Sequence, residues 1–187
     1  MKKHISLISL LLLCATLTGC TKTYSGIDAL TEKAREELPV ADADTTALQY
    51  AGMNVAGNEA LVWFISGDEF QAHTYLPMEV TLKGADRYTF VQTYKPLDGP
   101  KDIAVLSWKR GLSFVINNTA CTSVKLTTAN GTQEENIEDN AYPYVFYCPE
   151  IPSEYVFLDA DRNELLASLQ KRLRVPPKPL SYITYQH

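Results

Sequence analysis

Apolar and polar positions change their rhythm several times along this chain. An apolar run from Ile5 to Leu17 follows Lys2 and Lys3. Beyond it, Ile27, Leu30, Ala34 and Leu38 recur at helical spacing on one face. Ser25, with Asp28 three residues on, has the form of a capping box, and Pro39 stops the pattern, so the spacing predicts a helix over 26–38. Val40 to Asn58 reads in two pieces, Ala41–Thr46 as loop and Ala47–Met53 as a second short helix. From Glu59 the texture becomes short β-branched and aromatic runs broken by turn residues. Strands are predicted over Ala60–Ile65, Ala72–Leu82, Arg87–Tyr94, Ile103–Trp108, Leu112–Asn117, Ser123–Thr128, Thr132–Ile137, Tyr142–Cys148 and Glu154–Leu158. The intervening Lys83–Asp86, Lys109–Gly111 and Asn130–Gly131 suit hairpin turns. After Asp161 a helical stripe returns at Leu165, Leu166, Leu169 and Leu173, before Pro176, Pro177 and Pro179 force an extended chain.

Closely spaced strands joined by turns predict a mainly β, antiparallel sandwich with flanking helices, α+β in class. In rhythm it resembles an immunoglobulin-like or transthyretin-like sandwich. The implied organisation is a leader over 1–19, a tether over 20–25, an N-terminal helical segment over 26–58, the sandwich over 59–160, and a C-terminal helix with a Pro-rich tail over 161–187. In that tail Lys171, Arg172, Arg174 and Lys178 follow the last acid, Glu164, and the strand-prone Leu180–Tyr185 is expected to fold back over a sheet edge.

The opening run has a positive start, an apolar centre of about thirteen residues and small residues before a cysteine, the order of a secretory signal. It is too short for a spanning helix, which needs about twenty residues. Leu17-Thr18-Gly19-Cys20 resembles the bacterial lipobox at each of its four positions. That resemblance implies a diacylglyceryl thioether on Cys20, cleavage before it and an acyl group on the freed amine. Two or three acyl chains would tether a domain durably to a bilayer. In Gram-negative lipoproteins an aspartate after the cysteine commonly means inner-membrane retention. Thr21 stands there, so the resemblance implies the periplasmic face of the outer membrane.

Losing the leader removes two lysines and no acid, so 17 basic and 22 acidic residues become 15 and 22, a formal net of −7. A concentrated basic face, which nucleic acid requires, is not suggested. Of four cysteines, Cys14 leaves with the leader and Cys20 is the expected lipid carrier. Cys121 and Cys148 remain, and two thiols in an exported chain predict a disulfide. No further ligand lies at zinc-site spacing.

Each chemical motif in the chain is incomplete. His73 and His187 are the histidines left after processing, so a histidine-dependent triad would rest on His73. Gly111-Leu112-Ser113 begins a nucleophile elbow, but Val115 replaces its closing glycine. Ser168 and Lys171 have a Ser-x-x-Lys spacing without its companion motifs. Asp159, Asp161 and Asn163 open like a calcium loop, but Glu164 and Gln170 fill the positions that need glycine and a bidentate carboxylate; a turn is the expectation. Glu134, Glu135, Glu138 and Asp139 read as a solvated acidic loop. Tyr142, Tyr144 and Phe146 share one strand face and Tyr147 the other, as a core ladder or as a contact surface. The expectation is therefore a lipid-tethered domain without catalytic residues, metal or cofactor, binding an envelope protein partner. An envelope hydrolase with a dispersed site and an immunity or exclusion lipoprotein that blocks a toxin are the rivals.

Overall fold

Three strands carry buried side chains on both faces, and the layers of the domain form around them. The computed structural model describes residues 22–39, 46–67, 73–139 and 141–166. Strands β1 (Thr23–Ser25), β2 (Leu48–Ala56), β3 (Glu59–Ser66), β4 (Thr74–Leu82) and β5 (Arg87–Thr93) form sheet 1 in the order β1-β5-β4-β3-β2, with β6 (Leu97–Asp98) added beside β4. Sheet 2 is β11-β8-β7, from β7 (Ile103–Trp108), β8 (Gly111–Ile116) and β11 (Tyr144–Cys148). Sheet 3 is β10-β9-β12, from β9 (Ser123–Thr128), β10 (Gly131–Asn136) and β12 (Glu154–Leu158). All pairings between these strands are antiparallel.

Alternation along β3 separates two cores. Ala60, Val62 and Phe64 join Leu76, Met78 and Val80 of β4 against Leu30 and Ala34 of the helix α1 (Gly26–Glu36). Leu61, Trp63 and Ile65 point the other way and meet Ala104, Trp108 and Val115 of sheet 2. β8 repeats the device. Val115 faces sheet 1, while Leu112, Phe114 and Ile116 face Val124, Leu126, Tyr155 and Phe157 of sheet 3. The result is a β-sandwich with a flanking helix, extended by a third sheet so that sheet 2 is covered on both sides. Period-two burial on both faces explains why β3 reads as a nearly continuous apolar run.

The predicted strands from Glu59 onward recur within a residue or two of their expected bounds, and the expected hairpin turns join β4 to β5, β7 to β8 and β9 to β10. Elsewhere the structure differs. Of the expected second helix Ala47–Met53, all but Ala47 belongs to β2. Its alternation is hidden by a bulge between Tyr50 and Gly52, which moves the apolar phase by one residue: Leu48, Tyr50 and Met53 pack toward α1, and Ala51 and Ala56 toward sheet 2. Gly52, at φ +147, brings this strand onto β11, where a Cβ would lie 3.0 Å from the Val145 Cβ. Thr23–Ser25, expected as tether, is β1, paired with Arg87–Thr89. Ser25 makes no side-chain cap to α1; it is held in the ladder opposite Arg87, and Gly26 turns at φ 78 with its N–H donated to the Asp86 carbonyl. Residues 161–166 are not helical: Glu164 bridges to Leu158, and Leu165 donates its N–H to the Phe157 carbonyl. The rest of the predicted C-terminal helix and the Pro-rich tail lie outside the described residues.

Phe114 is fully buried, stacked on Phe146 at 4.5 Å and edge-on to Tyr155 and Phe157. Phe114→Ala should lower the unfolding free energy of the non-lipidated domain by about 3–5 kcal/mol. Urea denaturation checks this, and a loss below about 1 kcal/mol would mean that the interface of sheets 2 and 3 is not a well-packed core.

Candidate functional site

Three groups of polar side chains stand out, two inside the apolar layers and one at their margin. On the sheet 2 side of β4, Glu79 is only 5 % exposed. Its Oε2 accepts hydrogen bonds from Gln92 Nε2 at 2.9 Å and the Tyr94 hydroxyl at 2.8 Å. Its Oε1 faces Lys109 Nζ at 2.9 Å and accepts from Trp108 Nε1 at 3.4 Å. Lys109 sits at φ 53 in the β7–β8 turn and also pairs with Glu59 at 2.6 Å. Burial alone would raise the Glu79 pKa; hydrogen bonds from Lys109, Gln92, Tyr94 and Trp108 outweigh it and hold the carboxyl at about 2. A carboxylate so fixed in its charged form cannot deliver a proton near neutrality. It ties the sheet 2 hairpin to sheet 1.

Ser113 is a second internal tie. It is fully buried on β8, and its Oγ accepts from Asn54 Nδ2 at 2.6 Å and from Trp63 Nε1 at 2.7 Å. The serine of the incomplete elbow thus satisfies two buried donors between sheets 1 and 2, as buried polar groups require.

The third group is His73, Asp102 and Tyr75. His73 precedes β4, and Asp102 lies in a short 3-10 turn, Pro100–Asp102, that leads into β7. His73 Nδ1–H donates to Asp102 Oδ1 at 2.7 Å, and the Tyr75 hydroxyl donates to the same oxygen at 3.3 Å. Lys101 and Asp102 both have left-handed backbones, φ 54 and 56, an uncommon and strained state for residues with a Cβ. Gly99 lets the turn lie on the Tyr75 ring, since a Cβ there would come within 2.2 Å of it. Burial, and then the Asp102 charge, push the Tyr75 phenol well above its ordinary value. A carboxylate on Nδ1 fixes the imidazole tautomer whose Nε2 carries the lone pair, the arrangement a general base uses.

The remaining expected residues are placed as follows. Cys121 and Cys148 are buried in the core between sheets 2 and 3 as free thiols. Cys121 Sγ lies 3.6 Å from the Ser123 carbonyl, and Cys148 Sγ 3.0 Å from that of Glu150. Burial pushes the Cys121 thiol up to about 11. No bond joins the two sulfurs here: Cys148 stands opposite Leu112 at the end of β11, and the Cys121 carbonyl accepts from the Tyr142 hydroxyl before that strand begins. Asp159 forms a turn: its Oδ1 accepts from the backbone N–H of Asp161 and of Asn163, and its Oδ2 from Asn163 Nδ2. In the acidic stretch Glu134 pairs with Arg162 and Glu135 accepts from the Tyr144 hydroxyl. Among the described residues no group of His, Cys, Asp and Glu is arranged to hold a metal ion. Tyr142, Tyr144 and Phe146 pack as a half-buried ladder against the core between sheets 2 and 3, while Tyr147 stacks edge-on to Trp108 on the opposite face. Ser168, Lys171 and His187 lie outside the described residues.

Asp102 and Glu79 were not singled out from sequence. Glu79 carried a signal, a lone charge between Met78 and Val80 in an apolar strand. Asp102 carried none, because its partner is 29 residues away in the chain. Searches of protein-family models, of curated proteins and of solved structures find no match to this chain.

The Glu79 cluster makes stability depend on pH in a definite window. A carboxyl held at about 2 in the fold against an ordinary 4.5 contributes fully above pH 4.5 and loses that contribution as the pH falls toward 2. The size is on the order of 3 kcal/mol. Urea midpoints at pH 5.5 and 2.5 should show this fall in the wild type and a much smaller one in Glu79→Gln. Parallel falls in both proteins would assign the acid sensitivity to other groups.

Proposed function

We propose that the chain is a lipid-anchored envelope protein, held at the periplasmic face of the outer membrane, whose domain works by binding a protein partner rather than by catalysis. The observation that carries this reading is the closeness of fold and anchor. The lipobox ends at Cys20, and paired β-structure begins at Thr23. A chain built this way holds its whole domain at a membrane surface. Thr21 after the cysteine supports the outer rather than the inner membrane. The saturation of Glu79 and Ser113 by internal partners supports structural rather than chemical work for the polar interior. Among the described residues no helix is long and apolar enough to cross a membrane, so attachment in this reading falls to the lipid.

The His73–Asp102 pair favours a second reading, an envelope hydrolase. Incubating the lipidated protein and its His73→Ala variant with peptidoglycan and with phospholipid separates the two. Product released by the wild type and lost in the variant would replace the binding reading.

Two measurements test the primary proposal. Cys20→Ser should abolish incorporation of labelled fatty acid and leave the signal largely uncleaved, and a variant processed and membrane-bound as before would refute the anchor. Cross-linking of the lipidated protein in native envelope should capture one protein at fixed stoichiometry. Capture of muropeptides or lipids alone would overturn a protein-binding role.

A further inference from the structure

The register of β1 determines which side of the domain the anchor leaves from. Thr23 lies opposite Thr89, Tyr24 opposite Tyr88 and Ser25 opposite Arg87, so β1 covers only the first part of the β5 edge. Walking back from Thr23 toward Cys20, the chain passes Lys22 and then Thr21. Two Cα steps of 3.80 Å set the limit: the Cys20 Cα lies within about 7.6 Å of that of Lys22. The polar layer on each side of a bilayer is itself about 5–8 Å thick. A lipid-bearing Cys20 therefore cannot carry the domain clear of the headgroups.

Val91 stands at this edge. It is 48 % exposed, one of only three large apolar side chains so exposed among the described residues. It falls in a bulge: Val80 pairs with Phe90 and Glu79 with Gln92, leaving Val91 the extra residue, and a bulge re-aims its side chain. From Thr89, beside the start of β1, Val91 is two residues along β5, about 7 Å. The same edge carries Lys22, whose Nζ lies 4.9 Å from the Tyr24 ring centre, and Lys83, Asp86 and Arg87 at the β4–β5 turn, while Lys33, 4.7 Å from the Phe90 ring centre, is paired with Glu36 and Glu37. An exposed apolar side chain beside a short lipid-bearing leash, with Lys22 at the start of that leash, suits an interface of acyl chains and headgroups.

We infer that the β1/β5 edge of sheet 1 lies on the bilayer, with Val91 set among the lipid headgroups; this rests on the lipid anchor proposed above. The sheets then stand on the membrane by one edge. β2, four strands away at about 4.8 Å per strand, is raised roughly 19 Å above it and carries Val55, 52 % exposed, on the far side. The leash is too short for the domain to exchange these two edges.

The test uses lipidated protein in vesicles of phosphatidylethanolamine and phosphatidylglycerol. An environment-sensitive fluorophore is attached under native conditions to Val91→Cys or to Val55→Cys, with Cys121 and Cys148 buried and shielded from labelling. Headgroup nitroxide lipids should quench the label at 91 several-fold more than the label at 55, with a blue-shifted emission at 91 alone. A ten-residue Gly-Ser insertion after Thr21 should reduce the quenching at 91 to the level at 55 while the protein still floats with the vesicles. Flotation with equal quenching at both positions, or quenching at 91 that survives the insertion, overturns the orientation and leaves the anchor standing. Failure to float, with no labelled fatty acid incorporated, overturns the anchor and the orientation with it.

Discussion

The domain depends on β8 having no wet face. Leu112, Phe114 and Ile116 close the core against sheet 3, and Val115 closes the core against sheet 1, with Ser113 beside it. A strand in that position cannot leave a polar atom unpaired, because water is not there to satisfy it. Ser113 is tolerated because Asn54 and Trp63 bring their donors from sheet 1 to its hydroxyl. The same constraint governs Glu79, whose charge survives burial by collecting four donors from β5, the β7–β8 turn and the end of β7. These polar ties fix how sheet 2 sits on sheet 1, which apolar contacts alone leave free to slide.

The His73–Asp102 pair is built differently. It lies at the margin of the layers, its turn is held in a strained left-handed backbone, and Gly99 gives the turn its seat on Tyr75. Strain of this kind persists only where surrounding contacts over-determine it. This turn sets two consecutive residues with a Cβ in that backbone, where the Glu79 cluster has one, Lys109.

The edges of sheet 1 are also unlike each other. β2 is long, bulged at Gly52 and packed against β11 through Val145, a way of blunting an edge against unwanted pairing. β1 is three residues long and covers only part of β5. The chain enters the fold at this incomplete edge.

The sequence determined the local features. Strands whose side chains alternate or run apolar between turn residues were legible from Glu59 to Leu158, because period-two burial and hairpin chemistry act over a few residues. The helix at Gly26–Glu36 was legible for the same reason. Tertiary structure decided what depends on partners distant in the chain. A bulge at Gly52 concealed β2 by moving its phase. Ser25, read as a helix cap, was claimed by the ladder with Arg87. The division into three sheets followed from β8 burying both faces, which a single apolar strand does not announce. Glu79 acquired its depressed pKa from residues 13 to 30 positions away, and Asp102 met His73 across 29. Composition and periodicity register what one segment prefers. Charge pairs, buried hydroxyls and sheet order are set by which segments the packed layers bring face to face.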